Sequence, residues 1–317
     1  MLATTEGEGR SDVDIGIWGM GRMGFNMARR LVDKGDHRVI AGNRSPGKVD
    51  EAVGQGAEGA YSVEEFVEKQ GAPRILWSML PAGDVTDQMI DSFIELASEG
   101  DIVVDGANSY FRDSVRRAER VRNAGLRWLD AGVSGGVWGY EVGYCTMIGG
   151  DADAFEYAEP VFKTLAPQNG YAYLGDAGAG HFAKMVHNGV EYGMMQAYAE
   201  GFEILQKSRY DYDLRAICSL WNQGSVVRSW LLELAERAFE KDANLDSIQG
   251  YVEDSGEGRW TVLEAIEEDV SANVIAGSLF ARFASRQPDA FSMKVLAALR
   301  GQFGGHAIKE AATESEK

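Results

Sequence analysis

The stretch IGIWGMGRMGFNMARRL, residues 15–31, decides the fold of this 317-residue chain. It holds Gly19, Gly21 and Gly24 in the spacing G-x-G-x-x-G, after a short apolar run and at the start of a helical pattern. The first glycine permits a tight bend, the second lets the backbone approach a pyrophosphate, and the third allows close helix–strand packing. Because the following helix N-terminus adds amides and partial positive charge, we predict a dinucleotide-binding turn; a purely structural bend is the alternative. Its expected cofactor contacts are Gly19, Met20, Gly21, Arg22, Met23 and Gly24.

The composition is that of a folded, acidic protein. Hydrophobic residues make up 45% of the chain and aromatic residues 10%, which is typical of a globular protein and not of a disordered one. The 31 Lys and Arg against 49 Asp and Glu give a net charge of −18, which argues against nucleic acid as a partner. A length of 317 residues is enough for two domains.

Neither membrane targeting nor metal chemistry is indicated. The chain has no apolar run of membrane-spanning length and no signal-peptide pattern at its start, so no membrane partner is expected. Cys145 and Cys218 are far apart, so we expect no disulfide framework and predict a reducing, cytoplasmic location. The 4 histidines form no ligand cluster, and we predict no bound metal.

Short apolar runs alternate with helical patterns through the first half of the chain. The predicted strands are residues 13–18, 37–42, 74–80, 101–106, 126–131 and 144–150. The segments between them have helix-period hydrophobic residues and often end at glycine. Strands separated by such helices form βαβ units, so we predict a mostly parallel sheet. Beyond residue 180 the pattern changes to long helices without a strand, at roughly 180–207, 213–240 and 260–286.

This change of pattern divides the chain. We predict an α/β, Rossmann-type, dinucleotide-binding domain over residues 13–177, followed by an all-α domain over residues 178–299. A flexible tail is expected at residues 1–12, and a second tail at residues 300–317.

The residues after the second predicted strand bear on the choice of cofactor. NAD-preferring sites place an Asp or Glu about 20 residues beyond the glycine turn, bonded to the ribose 2′-hydroxyl. Here Asn43, Arg44 and Ser45 follow the strand instead, with Lys48 close by. Because a guanidinium can bind phosphate oxygens through two parallel bonds, this favours the 2′-phosphate of NADP. Arg44 as a solvated loop cation is the alternative, and NAD stays open.

Residues 184–193, KMVHNGVEYG, place polar side chains on one face of a helix. These side chains are Lys184, His187, Asn188 and Glu191. Their offsets of about 0, 3, 4 and 7 stack them on one side of an α-helix, either as a solvated face or as the wall of a reactive cleft. The two glycines in the stretch each cost the helix about 1 kcal/mol relative to alanine. Such glycines indicate close backbone packing, which favours the cleft.

Six segments of the chain together point to a known family. In order they are GMGRMG (19–24), NRS (43–45), DGANS (105–109), AGVSGG (131–136), GAGHFAKMVHNGVEYG (178–193) and LRGQFGGH (299–306). This set resembles the decarboxylating 6-phosphogluconate dehydrogenases, within the β-hydroxyacid dehydrogenase superfamily. The resemblance covers almost the whole chain, and the helical segment with VSGG is its most specific part. The length is similar to the short form of this family.

The resemblance implies a reaction. The family oxidises the hydroxyl on carbon 3 of 6-phosphogluconate, releases carbon dioxide from the 3-keto acid, and protonates the enediol to give ribulose 5-phosphate. This chemistry needs a hydride acceptor, a base and an acid, but no metal. By resemblance Lys184 is the base, a buried amine whose pKa desolvation lowers. Glu191, two turns along the same face, is the acid that protonates the enediol.

The resemblance also implies contacts with both ligands. Asn108 would touch nicotinamide and substrate, and Ser134 with the glycines after it would present a hydroxyl and amides to the carboxylate. His187 and Asn188 would hold the sugar hydroxyls and orient the carboxylate. The remaining expected cofactor contacts are Leu80, Pro81 and Ala82. The full set of expected substrate contacts is Asn108, Ser134, Gly135, Gly136, His187, Asn188, Tyr192, Ser255, Arg282, Arg300 and His306.

The phosphate of the substrate requires local cations on an acidic protein. The resemblance assigns Arg282, Arg300 and His306 to it, with Tyr192 adding a hydroxyl. In relatives the RGQFGGH segment reaches the neighbouring subunit's cleft. The resemblance therefore implies a homodimer or homotetramer in which the C-terminal tail completes the neighbouring site.

The segment DSGEGRW, residues 254–260, departs from the long form of the family. There a Lys-Gly-Thr-Gly-Lys type sequence contributes to phosphate binding, whereas Glu257 here cannot favour a phosphate dianion at close range. We expect Ser255 and backbone amides to contact the phosphate, with Arg259 paired to Glu257.

Two other functions are weighed against the leading one. The first is oxidation of another small 3-hydroxy acid without decarboxylation, which the match of Glu191, Tyr192 and the C-terminal segment disfavours. The second is a silent cofactor-binding sensor, which the presence of both the base and the acid disfavours.

Overall fold

The computed structural model describes residues 13–304 and residue 309. The predicted tail at residues 1–12 lies outside the described residues, as do residues 305–308 and 310–317 at the other end. The chain divides into two compact units, Met1–His187 and Asn188–Lys317.

Eight strands form one sheet in the described part of the first unit. They are β1 (Ile15–Trp18), β2 (Val39–Gly42), β3 (Glu58–Ala60), β4 (Ile75–Ser78), β5 (Ile102–Asp105), β6 (Arg127–Ser134), β7 (Cys145–Gly150) and β8 (Tyr171–Gly175). Their order is β3-β2-β1-β4-β5-β6-β7-β8. Neighbouring strands run parallel except for β6 and β7, which are antiparallel. The predicted mostly parallel sheet is confirmed.

Helices follow most of the strands of the first unit, and they are the regular elements of the second unit among the residues that the structure describes. Those of the first unit are α1 (Arg22–Gly35), α2 (Pro46–Val53), α3 (Val63–Glu68), α4 (Asp84–Leu96), α5 (Phe111–Asn123), α6 (Gly139–Val142) and α7 (Ala152–Leu165). The long helix α8 (Ala179–Gln206) begins in the first unit and continues into the second. The second unit continues with α9 (Leu214–Trp221), α10 (Trp230–Lys241), α11 (Glu257–Glu267), α12 (Asn273–Ser285) and α13 (Phe291–Gly304).

Both faces of the sheet are covered by apolar side chains. On one face, Ile15 and Ile17 of β1 belong to the same buried cluster as Phe162 of α7. On the other, Trp18 of β1 clusters with Phe66 of α3 and with side chains of α4 and α5. Successive residues of a strand point to opposite faces, so a strand that is apolar throughout is buried on both sides. This is the layer architecture of a doubly wound Rossmann fold.

The strands end together at one edge of the sheet. Trp18 at the end of β1 pairs in register with Gly42 of β2 and Ser78 of β4, and Ser78 pairs with Asp105 of β5. The loops that follow these four strands therefore start side by side. In open α/β sheets this carboxyl edge is where ligands bind.

Two strands escaped the sequence interpretation. β3 has only 3 residues, of which Glu58 is exposed. β8 lies at the edge of the sheet and its residues are mostly exposed. β3, EGA, is too short to present the apolar run on which strand prediction depends, whereas β8, YAYLG, has apolar and aromatic residues and was missed despite them.

The helical unit is more broken than predicted. α8 agrees with the prediction of a helix over residues 180–207, but the expected helix over 213–240 is two helices, α9 and α10. Between them Gly224 has a φ of 77°, a conformation that ends a right-handed helix. The expected helix over 260–286 is likewise divided into α11 and α12. A small buried cluster in this unit contains Phe202, Cys218, Leu232 and Phe239.

Candidate active site

The glycine turn joins β1 to α1 in the predicted way. Gly19 has a φ of 115°, and a Cβ there would lie 2.6 Å from the carbonyl oxygen of Met79. A Cβ on Gly24 would lie 2.1 Å from the Gly19 carbonyl oxygen, so α1 packs directly on the turn. At Gly21, by contrast, nothing described lies within 4 Å of an added Cβ. The backbone at Gly21 is thus open to a close-approaching group, as the pyrophosphate hypothesis requires.

The N-terminus of α1 can hold an anion. Gly21 is its N-cap, no side chain caps it, and its first turn contains no acidic residue. The amides of the first helical turn have no partner within the helix, and the helix dipole is positive there. Met20 is buried in the core, so it can meet a ligand only through its backbone; Arg22 is exposed and Met23 partly buried.

The residues after β2 include one cation, Arg44, that pairs with no carboxylate in the described part of the chain. Asn43 accepts a hydrogen bond from the Met20 amide at 3.0 Å, so its side chain stabilises the glycine turn. The ammonium of Lys48 pairs with the carboxylate of Glu51 at 2.8 Å. Arg44 is exposed and makes no ion pair with any residue that the structure describes. Of the two cations, Arg44 is therefore the one available to a phosphate.

The loops after β4 and β5 also lie at this edge of the sheet. Pro81 and Ala82 are exposed in the first of them, and Leu80 is partly buried. In the second, Asn108 has a φ of 50°. Its side-chain oxygen accepts from the Val133 amide at 2.8 Å, and its amide nitrogen donates to the Val133 carbonyl at 3.1 Å. These bonds fix the orientation of the Asn108 side chain against the end of β6.

β6 ends in the turn Ser134-Gly135-Gly136, predicted to bind a carboxylate. Gly135 has a φ of 137° and Gly136 a φ of 54°, conformations that favour glycine. The Ser134 hydroxyl lies 3.5 Å from Nε2 of His187. The structure thus brings together Ser134 and His187, which are 53 residues apart in the chain.

Lys184 is buried in the first unit, where its side chain is 5% exposed. Its ammonium nitrogen lies 3.5 Å from Nδ1 of His187. A Cβ on Gly132 of β6 would lie 2.3 Å from the Cβ of Lys184, so only glycine there lets α8 approach so closely. The first of the two alternatives for the KMVHNGVEYG face, a solvated surface, is therefore wrong for Lys184.

The start of α8 is fixed by a buried aspartate that the sequence interpretation missed. Asp130 of β6 is fully buried and accepts hydrogen bonds from the amides of Gly178 at 2.7 Å and His181 at 2.9 Å. The His181 ring in turn bonds the hydroxyl of Ser114 at 2.7 Å. A carboxylate at a helix N-terminus stabilises it, and here it sets the helix three residues before Lys184. The available signal was an acidic residue inside an apolar strand, because such residues are rarely buried without partners.

In the second unit, three of the predicted phosphate contacts lie together. The Tyr192 hydroxyl lies 3.2 Å from the Ser255 hydroxyl and accepts from the Ser255 amide at 3.0 Å. The guanidinium carbon of Arg282 stands 3.5 Å from the centre of the Tyr192 ring. Arg282 also donates to the Glu253 carbonyl at 2.9 Å, which fixes its position.

The remaining predicted residues of this unit are distributed differently. Asn188 and Glu191 are partly buried on α8, and Arg300 is exposed on α13. His306 lies outside the described residues.

The expected pairing of Arg259 with Glu257 is wrong. Arg259 instead forms two bonds to Asp254, at 2.8 and 3.0 Å, and Arg286 pairs with the same carboxylate at 3.1 Å. Hydrogen bonds from Arg259 and then Arg286 lower the pKa of Asp254 to about 2, against the effect of burial. Two of the arginines near Ser255 therefore share the single carboxylate of Asp254.

No group of three or more His, Cys, Asp or Glu in the described part of the chain could hold a metal ion. None of the described helices is long and apolar enough to cross a membrane. Both cysteines are unbonded, Cys145 exposed and Cys218 buried.

A Rossmann sheet with an open glycine turn at its carboxyl edge, and a buried lysine on the helix packed beside it, defines a dinucleotide-dependent dehydrogenase. Residues 14–175 match the family model described as the NAD binding domain of 6-phosphogluconate dehydrogenase. Residues 180–315 match the model of the 6-phosphogluconate dehydrogenase C-terminal domain. The chain belongs to the 6-phosphogluconate dehydrogenase family.

Individual relatives agree with this assignment. The YqeC protein of Bacillus subtilis is 46% identical over 93% of this chain and 99% of its own length. A Haloferax volcanii protein named as an NAD(+)-dependent, decarboxylating 6-phosphogluconate dehydrogenase is 44% identical over 93% of this chain and 98% of its own. The 6-phosphogluconate dehydrogenase of Plasmodium falciparum, with structures in complex with NADP+ and with 6-phosphogluconate, superposes with a TM-score of 0.80 at 28% identity. That match covers 95% of this chain and 67% of the Plasmodium chain.

Proposed function

We propose that the protein catalyses the oxidative decarboxylation of 6-phosphogluconate to ribulose 5-phosphate and carbon dioxide, with reduction of NADP. The observation that carries the proposal is the buried Lys184, held against Gly132 and beside His187 at the turn that ends β6. Solvent-exposed lysines on a helix need no such arrangement. The family to which the chain belongs supports the choice of substrate.

The residues at the glycine turn fit a dinucleotide. Gly21 is open to a pyrophosphate, and the α1 N-terminus has neither a side-chain cap nor an acidic first turn. Arg44, which has no carboxylate partner among the described residues, supports a 2′-phosphate and hence NADP. The Haloferax relative is named as NAD(+)-dependent, so NAD is the alternative cofactor. When bound, the nicotinamide accepts the hydride from carbon 3.

In this mechanism Lys184 takes the proton of the carbon 3 hydroxyl while the hydride leaves. Desolvation favours the neutral form of an amine, which is the form that accepts a proton. Lys184 then returns the proton to the keto oxygen as carbon dioxide departs. Glu191, seven residues further along α8 and partly buried, protonates carbon 1 of the enediol, while Lys184 takes the proton of the carbon 2 hydroxyl and so leaves the ketone of ribulose 5-phosphate.

The residues proposed to bind the carboxylate and hydroxyls of the substrate come from the β6 turn, from α8 and from the loop after β5. Ser134 offers a hydroxyl, and Gly135 and Gly136 offer amides in a turn that side chains do not obstruct. His187 and Asn188 would bind the hydroxyls. Asn108, oriented by Val133, would touch both nicotinamide and substrate.

The phosphate is proposed to bind Tyr192, Ser255 and Arg282. Their mutual contacts support this assignment. Arg282 stacks on the Tyr192 ring and donates a hydrogen bond to the Glu253 carbonyl, and no described carboxylate forms an ion pair with it. Arg300 and His306 are proposed to add charge from the C-terminal tail.

We further propose that the protein is a cytoplasmic homodimer or homotetramer, in which the tail of one subunit completes the site of the next. The proposal that a second subunit packs against α13 is supported by its large exposed apolar side chains. Phe291 is 80% exposed, Leu296 53% and Leu299 54%. Exposed apolar surface on this scale marks interaction sites. We propose a cofactor domain that ends at residue 177, a helical domain that ends at residue 299, and a C-terminal tail whose first residues, 300–304, are the end of α13.

One assay tests the proposed reaction. The full chain is supplied with 6-phosphogluconate and either NADP or NAD, and reduced cofactor, carbon dioxide and ribulose 5-phosphate are followed together. Equal amounts of all three products are expected, with the higher kcat/KM for NADP. Reduced cofactor without carbon dioxide would indicate a dehydrogenase that does not decarboxylate, and no turnover would indicate a silent binding protein.

A further inference from the structure

Arg117 of α5 is a fully buried arginine whose guanidinium binds in two directions. On one side it donates to the Asp105 carboxylate at 2.9 Å and to the Ser109 hydroxyl at 2.8 Å. On the other side it donates to the Asp87 carboxylate at 3.1 Å and to the Gly83 carbonyl at 3.2 Å.

The first pair of bonds shapes the loop that follows β5. Asp105 also accepts from the Ala107 amide at 3.0 Å and from the Ser109 hydroxyl at 2.9 Å, so its carboxylate fixes both sides of Asn108. Asn108 has a positive φ and forms two bonds to Val133. The position of the Arg117 guanidinium is thereby transmitted to the end of β6.

The second pair of bonds anchors the loop that follows β4. Gly83 has a φ of 102° and directly precedes α4, and the Thr86 hydroxyl donates to the Pro81 carbonyl at 2.8 Å. Although burial acts to raise it, hydrogen bonds from Arg117 and Arg116 hold the pKa of the Asp87 carboxyl well below its usual range. Asp87 therefore stays charged and bound to Arg117 at neutral pH.

We propose that Arg117 is a positioning residue, whose one guanidinium sets the separation of the two loops that follow β4 and β5 and so shapes the dinucleotide site. The inference rests on the proposed cofactor contacts of Leu80, Pro81, Ala82 and Asn108, and it does not depend on which acid is oxidised. Arginine is suited to this because its planar fork donates in several fixed directions at once. A lysine ammonium is a point charge that cannot reach both loops.

The test compares Arg117→Lys with a matched arginine at the other end of the same strands. Arg74 donates to the fully buried Asp101 at 2.8 Å, just before β5 begins, whereas Arg117 binds Asp105 at the end of β5. Both substitutions replace a guanidinium beside a buried aspartate. Dinucleotide binding is titrated for each variant, with NADP and with NAD, through the intrinsic tryptophan fluorescence of the full chain. Thermal unfolding without ligand is measured in parallel.

Both variants are expected to lower the melting temperature, but only Arg117→Lys is expected to weaken dinucleotide binding, by about 10-fold. Wild-type affinity in Arg117→Lys, or an equal loss in Arg74→Lys, would overturn the proposal. If Arg117→Lys does not fold, Ser109→Ala provides the test. It removes the hydroxyl that accepts from Arg117 and leaves the ion pair of Arg117 with Asp105 intact. A loss of about 3-fold is expected there, and unchanged affinity overturns the proposal. Dinucleotide binding is measured without turnover. The result can therefore be interpreted even if the protein does not oxidise 6-phosphogluconate.

Discussion

The two ends of the parallel strands use their polar groups differently. At the amino ends, charged side chains bind one another: Arg74 pairs with Asp101, and Arg38, just before β2, pairs with Glu58 at 2.7 Å and Asp14 at 2.9 Å. At the carboxyl ends, Asp105 binds its own loop and a buried arginine, while Arg44 has no carboxylate partner in the described part of the chain.

This difference suggests that polar groups at the amino ends of the strands stabilise the fold, whereas those at the carboxyl ends shape the ligand site. The charged side chains named at the amino ends form ion pairs with one another. At the carboxyl ends the buried charges position loops whose glycine backbone and exposed side chains stay open. Substitutions at the amino ends should therefore lower stability alone, and those at the carboxyl ends should lower activity more than stability.

The largest effect is expected at Lys184. Lys184→Met should lower kcat by about 1,000-fold, because it removes the proposed general base while keeping a side chain of similar length. Dinucleotide affinity should be unchanged. Lys163→Met, which replaces an exposed lysine of α7, is the control and should turn over normally. Near-normal turnover in Lys184→Met would remove the assignment of the base.

A smaller loss is expected from Gly132→Ala, which tests the approach of α8 to β6. The new Cβ would lie 2.3 Å from the Cβ of Lys184, so the lysine must move. A displacement of about 1 Å at a catalytic group can lower kcat by about 100-fold. Gly201→Ala on α8 has nothing described within 4 Å of the added methyl group and is the control. Equal kcat in the two alanine variants would show that this contact does not position Lys184.

Cofactor choice should depend on Arg44. Arg44→Ala should raise KM for NADP by about 10- to 100-fold, the effect of losing a hydrogen bond to a charged group, and should change KM for NAD little. Steady-state kinetics with both cofactors measure the difference. An equal loss for the two would mean that Arg44 does not recognise a 2′-phosphate.

The smallest effect is expected at the amino ends. Arg38→Ala should lower the free energy of unfolding by at most about 1 kcal/mol, because its ion pairs are partly exposed to solvent. Its kcat/KM should equal that of the wild type. Denaturant unfolding measures the stability, and the assay with 6-phosphogluconate and NADP measures kcat/KM. A loss of activity without a loss of stability would contradict the assignment of a purely stabilising role to the amino ends of the strands.

The parts of the fold that depend on local pattern were predictable from the sequence. The glycine turn, the apolar strands and their parallel order follow from spacing and hydrophobicity, and Lys184, His187 and Ser134 stood in recognisable segments. β3 was not predictable in this way because it has only 3 residues, and β8 was missed although its sequence, YAYLG, is apolar and aromatic. The break between α9 and α10 contains Gly224 at a φ of 77° and the N-cap Ser229, neither of which the hydrophobic period indicates.

The parts of the site that depend on distant partners were not predictable. Arg117 lies in a helix rich in arginine, so its sequence context predicts a surface cation. Asp105 and Asp87 are distant in the sequence, and only the fold brings them into contact with it. Similarly, Arg259 had two acidic neighbours in sequence, and the backbone at Gly256, with a φ of 91°, brings it to Asp254. Spacing along the chain does not decide between such partners.

The most direct test of the proposed oxidative decarboxylation is the ratio of carbon dioxide released to cofactor reduced. 6-Phosphogluconate isotopically labelled at carbon 1 is converted by the full chain with NADP, and the label and the reduced cofactor are measured in the same sample. The account predicts one labelled carbon dioxide for each reduced cofactor and an unlabelled pentose phosphate. Label that stays in a six-carbon keto acid while cofactor is reduced would contradict it.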